Sequence, residues 1–214
     1  GDLSKAREVG VDFAFVPSLK EMYPDGFQTK ITVEKVTKHL CGISRPDHFD
    51  GVTTVVAKLF NITKPHVAIF GQKDYQQLTV ISRMVEDLKM DIQIVGVPTV
   101  REPDGLAMSS RNSYLSPDER RSALCLKKSI DLAYDMVREG EKDVNNIKLA
   151  VEKLILGHPF TKLDYIILCH PVTLENTETI EGETLLALAV RVGKTRLIDN
   201  RLIGTGDNGN QKLT

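Results

Sequence analysis

Two runs of residues in this chain have the types and spacing needed to grip phosphate. The first is Arg101-Glu102-Pro103-Asp104-Gly105-Leu106-Ala107-Met108-Ser109-Ser110-Arg111-Asn112. Gly105 lets the backbone turn where a Cβ would clash. Ser109 and Ser110 offer two hydroxyl donors, and Arg111 offers a planar cation matched to phosphate oxygens. Met108 can lie against a flat apolar surface. Taken alone, this run reads equally as a surface turn with a stray arginine. The second run is Phe70-Gly71-Gln72-Lys73-Asp74-Tyr75-Gln76-Gln77. Gly71 permits close backbone approach, and Lys73 is a mobile cation beside a helix start, where phosphate is already favoured. Asp74 would repel a phosphate but can accept hydrogen bonds from ribose hydroxyls. Gln77, one turn into the helix, can hold a small polar substrate. The competing reading gives Asp74 and Gln77 to helix capping. Arg45 and His48, in Arg45-Pro46-Asp47-His48-Phe49, form a third candidate, for which an exposed loop is the simpler reading.

Rigid elements must hold these runs. Residues 11–17 alternate and end in proline, which predicts a strand, and 29–33 is a weaker strand candidate. A helix is predicted over 51–59, continuing toward Asn61 with Pro65 beyond it. A short apolar strand follows over 66–70, then a helix over 74–88, on which Leu78, Ile81, Val85 and Leu88 share a face. The next strand covers 92–97. Strand, helix, strand at this spacing implies a right-handed parallel crossover. The Phe70–Gln77 run then lies at the carboxyl end of a parallel strand, where open α/β sheets bind ligands.

The pattern changes after Arg101. Ser116-Pro117-Asp118-Glu119 has the form of a capping box with proline at the first helical position, opening a helix that runs to about Glu139. A second helix covers 144–156 and a strand 163–168. Two further strands, 184–192 and 196–203, are joined at Gly193-Lys194 as an antiparallel hairpin. The tail, 204–214, is rich in Gly, Asn and Asp and is expected to fray. The chain thus divides into an α/β unit over 1–100 with parallel strands and an α+β unit over 101–214. The phosphate-like loop sits at their junction, and ligand sites favour such interfaces.

Bulk composition narrows the function. Lys plus Arg is 28 and Asp plus Glu is 29, a net charge of −1, so no global field draws the chain to nucleic acid or an anionic membrane. Any bound anion must be held by local charge. No apolar run is long enough to span a membrane. Cys41, Cys125 and Cys169 are scattered, which speaks against a disulfide framework or zinc site and suits the cytoplasm. His39, His66, His158 and His170 have no metal-ligand spacing and read as surface or capping residues, so no resident metal is expected. Gly193-Lys194-Thr195 is not a phosphate-binding P-loop, because the glycine required five positions earlier is Leu188.

Several segments together resemble the pantoate–β-alanine ligase family. They are Arg45-Pro46-Asp47-His48-Phe49, Lys58-Leu59-Phe60-Asn61, Phe70 to Gln77, Asp104 to Asn112, and Arg196-Leu197-Ile198-Asp199-Asn200. The resemblance runs from about residue 2 to 203. It implies a Rossmann-like nucleotide-binding domain plus a smaller, lid-like α+β domain, arranged as a homodimer. It implies that ATP, with Mg²⁺, activates pantoate as a pantoyl adenylate, which β-alanine then attacks, releasing AMP after pyrophosphate. By resemblance, Gly71 and Asp74 hold the ribose and Lys73 the phosphates. Gln77 binds pantoate, and Val100 and Met108 border the adenine. Ser109, Ser110 and Arg111 grip the triphosphate, while Arg45 and His48 line the site more peripherally. Two departures stand out. Asp47 replaces a glycine usual in its turn, and Asp tolerates a left-handed backbone better than most residues. No His-x-Gly-His motif occurs in the chain. The expectation is therefore the C-terminal three-quarters of such a ligase. The alternative is a non-catalytic nucleotide-binding fragment or partner-dependent subunit.

Overall fold

The computed structural model of the protein describes residues 1–204. The expected fraying of the tail falls, beyond Gly204, outside the described residues. The chain opens with two short helices, α1 (Asp2–Glu8) and α2 (Leu19–Met22), joined by irregular backbone. The strand predicted over 11–17 does not form. Phe13 is 94% exposed and Val16 69% exposed. Alternation supplies two faces, but a strand also needs a neighbour to take its backbone hydrogen bonds, and none lies alongside among the described residues. The weaker strand at 29–33 is likewise only extended chain. Its backbone groups are met by threonines instead: Ile31 N donates to Thr54 Oγ1 at 3.0 Å, and Thr53 Oγ1 donates to Ile31 O at 2.6 Å.

Helix α3 (Cys41–Ser44) leads into α4 (His48–Thr63), which is longer at both ends than the sequence predicts. Asp47, just before α4, is left-handed, with φ of 63°. Its side chain makes no capping bond, and its one ion pair, with Lys30 at 3.8 Å, is exposed. An L-residue there carries a steric cost that glycine avoids. Asp47→Gly is therefore expected to raise stability, by about 0.5 kcal/mol after the entropy gained by the unfolded chain is offset. Urea denaturation reads this directly, and a loss of stability would count against the strain argument.

The predicted crossover is present. Strand β1 (Val67–Gly71) pairs in parallel with β2 (Gln93–Val97), with α5 (Tyr75–Asp87) between them. The capping box expected of Asp74 and Gln77 is absent. A 3-10 turn over Gln72–Asp74 intervenes between β1 and α5, and Asp74 makes no side-chain cap bond. The turn changes the approach of the chain, and the carboxylate accepts no hydrogen bond from the first free N–H groups of the helix.

Beyond residue 100 the single predicted helix is two, α6 (Pro117–Ala123) and α7 (Cys125–Arg138). Ser116 and Glu119 form the predicted capping box. The break at Leu124 involves neither Gly nor Pro, so the sequence carries no signal for it. Helix α8 (Val144–Leu156) is capped by Asp143, and it precedes β3 (Thr161–Cys169), β4 (Thr184–Val192) and β5 (Thr195–Ile203). These three strands form an antiparallel sheet in the order β3-β4-β5, with the two-residue turn Gly193-Lys194 closing the hairpin as predicted.

Strand β4 explains how the halves are joined. Its alternating side chains serve two cores. Leu186, Leu188, Val190 and Val192 pack with α7 and α8. Leu185 and Ala187 pack on the opposite side with Val36, Leu40, Phe49 and Val80. A strand buried on both faces reads as a continuous apolar run, which Leu185–Val190 is. The antiparallel sheet is thus seated against α5 and the elements that precede β1, and the seam between them runs past the end of β1.

Candidate functional site

The site is built at that seam. Lys73 lies in the 3-10 turn after β1, with its side chain 18% exposed. Its backbone is fixed from the other sheet: Asn200 Nδ2, on β5, donates to Gln72 O at 3.0 Å and to Lys73 O at 2.7 Å. Its Nζ lies 3.9 Å from Asp74 Oδ2, too long for a tight hydrogen bond. Asp74 is exposed and uncapped, free to accept from a ligand.

The 101–112 loop is rigid for reasons that can be traced bond by bond. Arg101 bridges to Ala107, and Gly105 turns the loop at φ of 91°. Arg101 is held by a bidentate pair with Asp199 of β5, at 2.7 and 3.0 Å. Asn112 Nδ2 donates to Glu102 Oε1 at 2.5 Å and to Ala107 O at 3.1 Å, closing the loop on itself. Arg120 of α6 takes up both loop acids, Glu102 at 2.7 Å and Asp104 at 2.6 Å. Its hydrogen bonds hold both carboxyls below their ordinary pKa. Arg111 is consequently left with no ion pair among the described residues. Ser109 Oγ accepts from Arg111 N at 3.3 Å, which orients the turn that begins at Ser110. Met108 N donates to Val100 O at 2.9 Å, so the two residues expected at the adenine are neighbours, both largely exposed.

The two runs meet. Lys73, Ser109, Arg111, Arg196 and Asp199 line one narrow crevice of about 10 Å³, a point where side chains converge and not a space that encloses a triphosphate. Arg111 and Arg196 continue into a broad groove of about 870 Å³ that also takes in Arg45. His48 stands nearby. Burial and then the Arg45 charge lower its pKa, and the Asp74 carboxylate opposes them. Gly71 is exposed at the strand end. Ser110 and Gln77 do not line the crevice. Gln77 is half-buried on α5, and its side chain makes no hydrogen bond among the described residues. A separate cavity of about 310 Å³ is lined in part by Gln72, Lys127 and Arg201. Both of those cations are shared with Asp131, so it offers an anion less.

Sequence reasoning assigned no role to Arg196, Asp199 or Asn200, although all three fall in one quoted run. The available signal was three polar residues inside a strand that also had to bury apolar faces. Gln76, adjacent to the expected ligand Gln77, was also missed. Its Oε1 accepts from Cys41 N at 3.1 Å, and its Nε2 donates to Val36 O at 2.9 Å and His39 O at 2.7 Å. A buried amide with every group matched is expensive to lose. Gln76→Ala is expected to cost about 2–3 kcal/mol of stability by orphaning those backbone groups. Chemical denaturation checks this, and a cost under about 0.5 kcal/mol, the scale of an ordinary surface substitution, would refute it.

A crevice of phosphate-seeking side chains at the carboxyl end of parallel strands defines a Rossmann-like nucleotide-binding protein. Comparison with known proteins narrows the class. The family description pantoate-beta-alanine ligase matches residues 1–202. A pantothenate synthetase of Syntrophus aciditrophicus is 56% identical over 203 residues, covering 95% of this chain and 71% of that protein. One from Desulforapulum autotrophicum is 57% identical over 202 residues, covering 94% and 71%. The crystal structure of pantothenate synthetase from Thermus thermophilus superposes with a TM-score of 0.91 at 42% identity, covering 95% of this chain and 74% of that one. The pantoate-beta-alanine ligase of Francisella tularensis, complexed with beta-gamma ATP and beta-alanine, gives 0.69 at 34% identity, covering 96% and 70%. The chain belongs to the pantoate–β-alanine ligase family.

Proposed function

We propose that the protein joins pantoate to β-alanine at the expense of ATP, through a pantoyl adenylate. The pantoate carboxylate attacks the α-phosphorus. The oxygen bridging the α and β phosphorus leaves with the bonding pair, as pyrophosphate. The amine of β-alanine then attacks the acyl carbon, AMP departs, and the amine sheds its proton to solvent. No side-chain nucleophile is required. The protein's part is to position reactants and stabilise charge.

The observation that carries this reading is the convergence of Lys73, Ser109 and Arg111 on one crevice from separate runs of the chain. Lys73 and Arg111 neutralise the triphosphate, Ser109 and Ser110 donate to its oxygens, and Gly71 leaves room for the ribose, to which Asp74 accepts. Val100 and Met108 flank the adenine, Gln77 holds pantoate, and Arg45 and His48 stand at the rim. Among the described residues no three His, Cys, Asp or Glu cluster as a metal site. Mg²⁺ enters with the nucleotide, coordinated chiefly by phosphate oxygens. Residues 1–100 form the nucleotide-binding unit and 101–214 a lid-like one, working as a homodimer in the cytoplasm.

The test is to incubate the purified protein with ATP, Mg²⁺, β-alanine and pantoate carrying ¹⁸O in its carboxylate. Pantothenate should form with one ¹⁸O delivered into AMP. Pantothenate without label in AMP would sink the adenylate, and AMP formation independent of pantoate would sink the ligase reading.

A further inference from the structure

The groove beyond the crevice is more cationic than the rest of the molecule explains. Arg45, Arg111, Arg191, Lys194 and Arg196 line it, against Asp164 and Glu119. The whole chain has a net charge of −1, so this excess is local. Both acids are already engaged. Asp164 accepts from Arg196 Nε at 2.8 Å, and Glu119 closes the α6 capping box by accepting from Ser116 N at 2.8 Å. Arg45, Arg111, Arg191 and Lys194 have no ion pair among the described residues.

Two further features mark the β4–β5 hairpin tip as built for an anion. Arg191 and Arg196 are register partners, directly opposite across the antiparallel pair. Like charges so placed repel each other. In addition, Arg196 Nη2 is buried without a hydrogen-bond partner, although its Nε is satisfied. A buried donor on a charged group left unmatched is costly. One oxyanion would relieve the opposed pair, bridging the two guanidinium groups in the geometry arginine prefers, and Nη2, closed to solvent beside the Tyr165 ring, would reach it by a turn of the Arg196 side chain.

Arg111 and Arg196 line both spaces, so the groove and the crevice share these two side chains as a common wall. Resting on the adenylate reading above, we propose that the groove holds the departing inorganic pyrophosphate, with Arg196 as its inner ligand and Arg191 and Lys194 as its outer ones. Once the α–β bridge has broken, the product moves away from the α-phosphorus along a path of cations. Reversal is suppressed while the adenylate waits for the amine.

The discriminating variant is Arg191→Gln with Lys194→Gln. Both positions lie outside the crevice, and loss of Arg191 relieves a like-charge pair, so the protein should fold. Inhibition by added inorganic pyrophosphate should weaken about tenfold, the scale of one lost charge-assisted contact. KM for ATP and the rate without pyrophosphate should change less than about twofold, because those residues do not hold the triphosphate. An inhibition constant unchanged within twofold would overturn the proposal. So would an equal weakening in a control variant with Lys142→Gln and Lys153→Gln, which lowers charge at remote exposed positions. Calorimetric titration of pyrophosphate into the nucleotide-free protein separates the two readings. If no pantothenate forms at all, the kinetic comparison gives no reading, and this titration alone decides whether the groove holds pyrophosphate. Equal binding by wild type and hairpin variant, or none by either, would remove the site.

Discussion

Lys73→Ala is expected to lower kcat/KM for pantothenate formation by about 10²–10³-fold, the usual effect of removing one aimed charge-stabilising donor. Three observations set this expectation. The lysine side chain is mostly enclosed, at 18% exposure, so water would not replace it as a donor. Its nearest carboxylate, Asp74 Oδ2, forms only a long ion pair at 3.9 Å with no tight hydrogen bond, so the ammonium keeps its donors for a ligand. Its backbone is fixed by two hydrogen bonds from Asn200, so reorganisation on binding is small. Negative charge grows on the bridging oxygen only as the α–β bond breaks, so the loss should fall mainly on kcat. The thermal midpoint should barely move, because the ammonium anchors nothing else among the described residues. Steady-state kinetics of the purified variant, alongside a melting curve, check both halves. An activity within fivefold of wild type would end the assignment of Lys73 to the reacting phosphates, and a large fall in midpoint would recast the residue as structural.

How far the sequence could foresee this site depends on the range of the forces involved. Local chemistry was readable. The Ser116–Glu119 box and the Gly193-Lys194 turn follow from residues a few positions apart, and the β1–α5–β2 crossover follows from periodicity. Partnering was not readable. Residues 11–17 alternate like a strand, yet alternation says nothing about whether another strand lies alongside. Asp74 and Gln77 had capping form, and a 3-10 turn that spacing does not encode removed it. The adjacent Gln76 and Gln77 look interchangeable in sequence, but only Gln76 is buried and bonded to the 36–41 segment. Asp47 shows the opposite case, since a residue tolerant of left-handed backbone was expected there and φ is 63°. The resemblance supplied candidate residues for the site, of which Lys73, Ser109 and Arg111 line one crevice. It did not say that β5 would carry the struts that aim them.

Asp199 is the clearest of those struts, and Asp199→Ala is expected to destabilise the fold by about 3 kcal/mol, the lower end for breaking a buried ion pair. The carboxylate is fully buried and accepts both guanidinium nitrogens of Arg101, while its own Oδ1 also takes Asn200 N at 2.8 Å. Removing it orphans two kinds of donor at once. The lower end applies because Arg101 retains 24% side-chain exposure and can recover some hydration. Most of the cost comes from the charge left behind. The pairwise replacement Arg101→Met with Asp199→Leu should therefore cost less than Asp199→Ala alone, a non-additivity that a double-mutant cycle measures. The thermal midpoint should fall by roughly 6–12 °C in the single variant. Below that midpoint a second effect should appear. Arg101 begins the loop that carries Ser109 and Arg111, and Asp199 is the one ion-pair partner of Arg101 among the described residues, so kcat should drop while the protein is still folded. A misplacement near 1 Å can cost on the order of 10²-fold when a reaction depends on position. If the single and double variants lose stability equally, Arg101 is tolerant of isolation and the strut is ordinary packing. If kcat survives in the folded Asp199→Ala protein, the loop is aimed by Asn112 and Arg120 without help from β5.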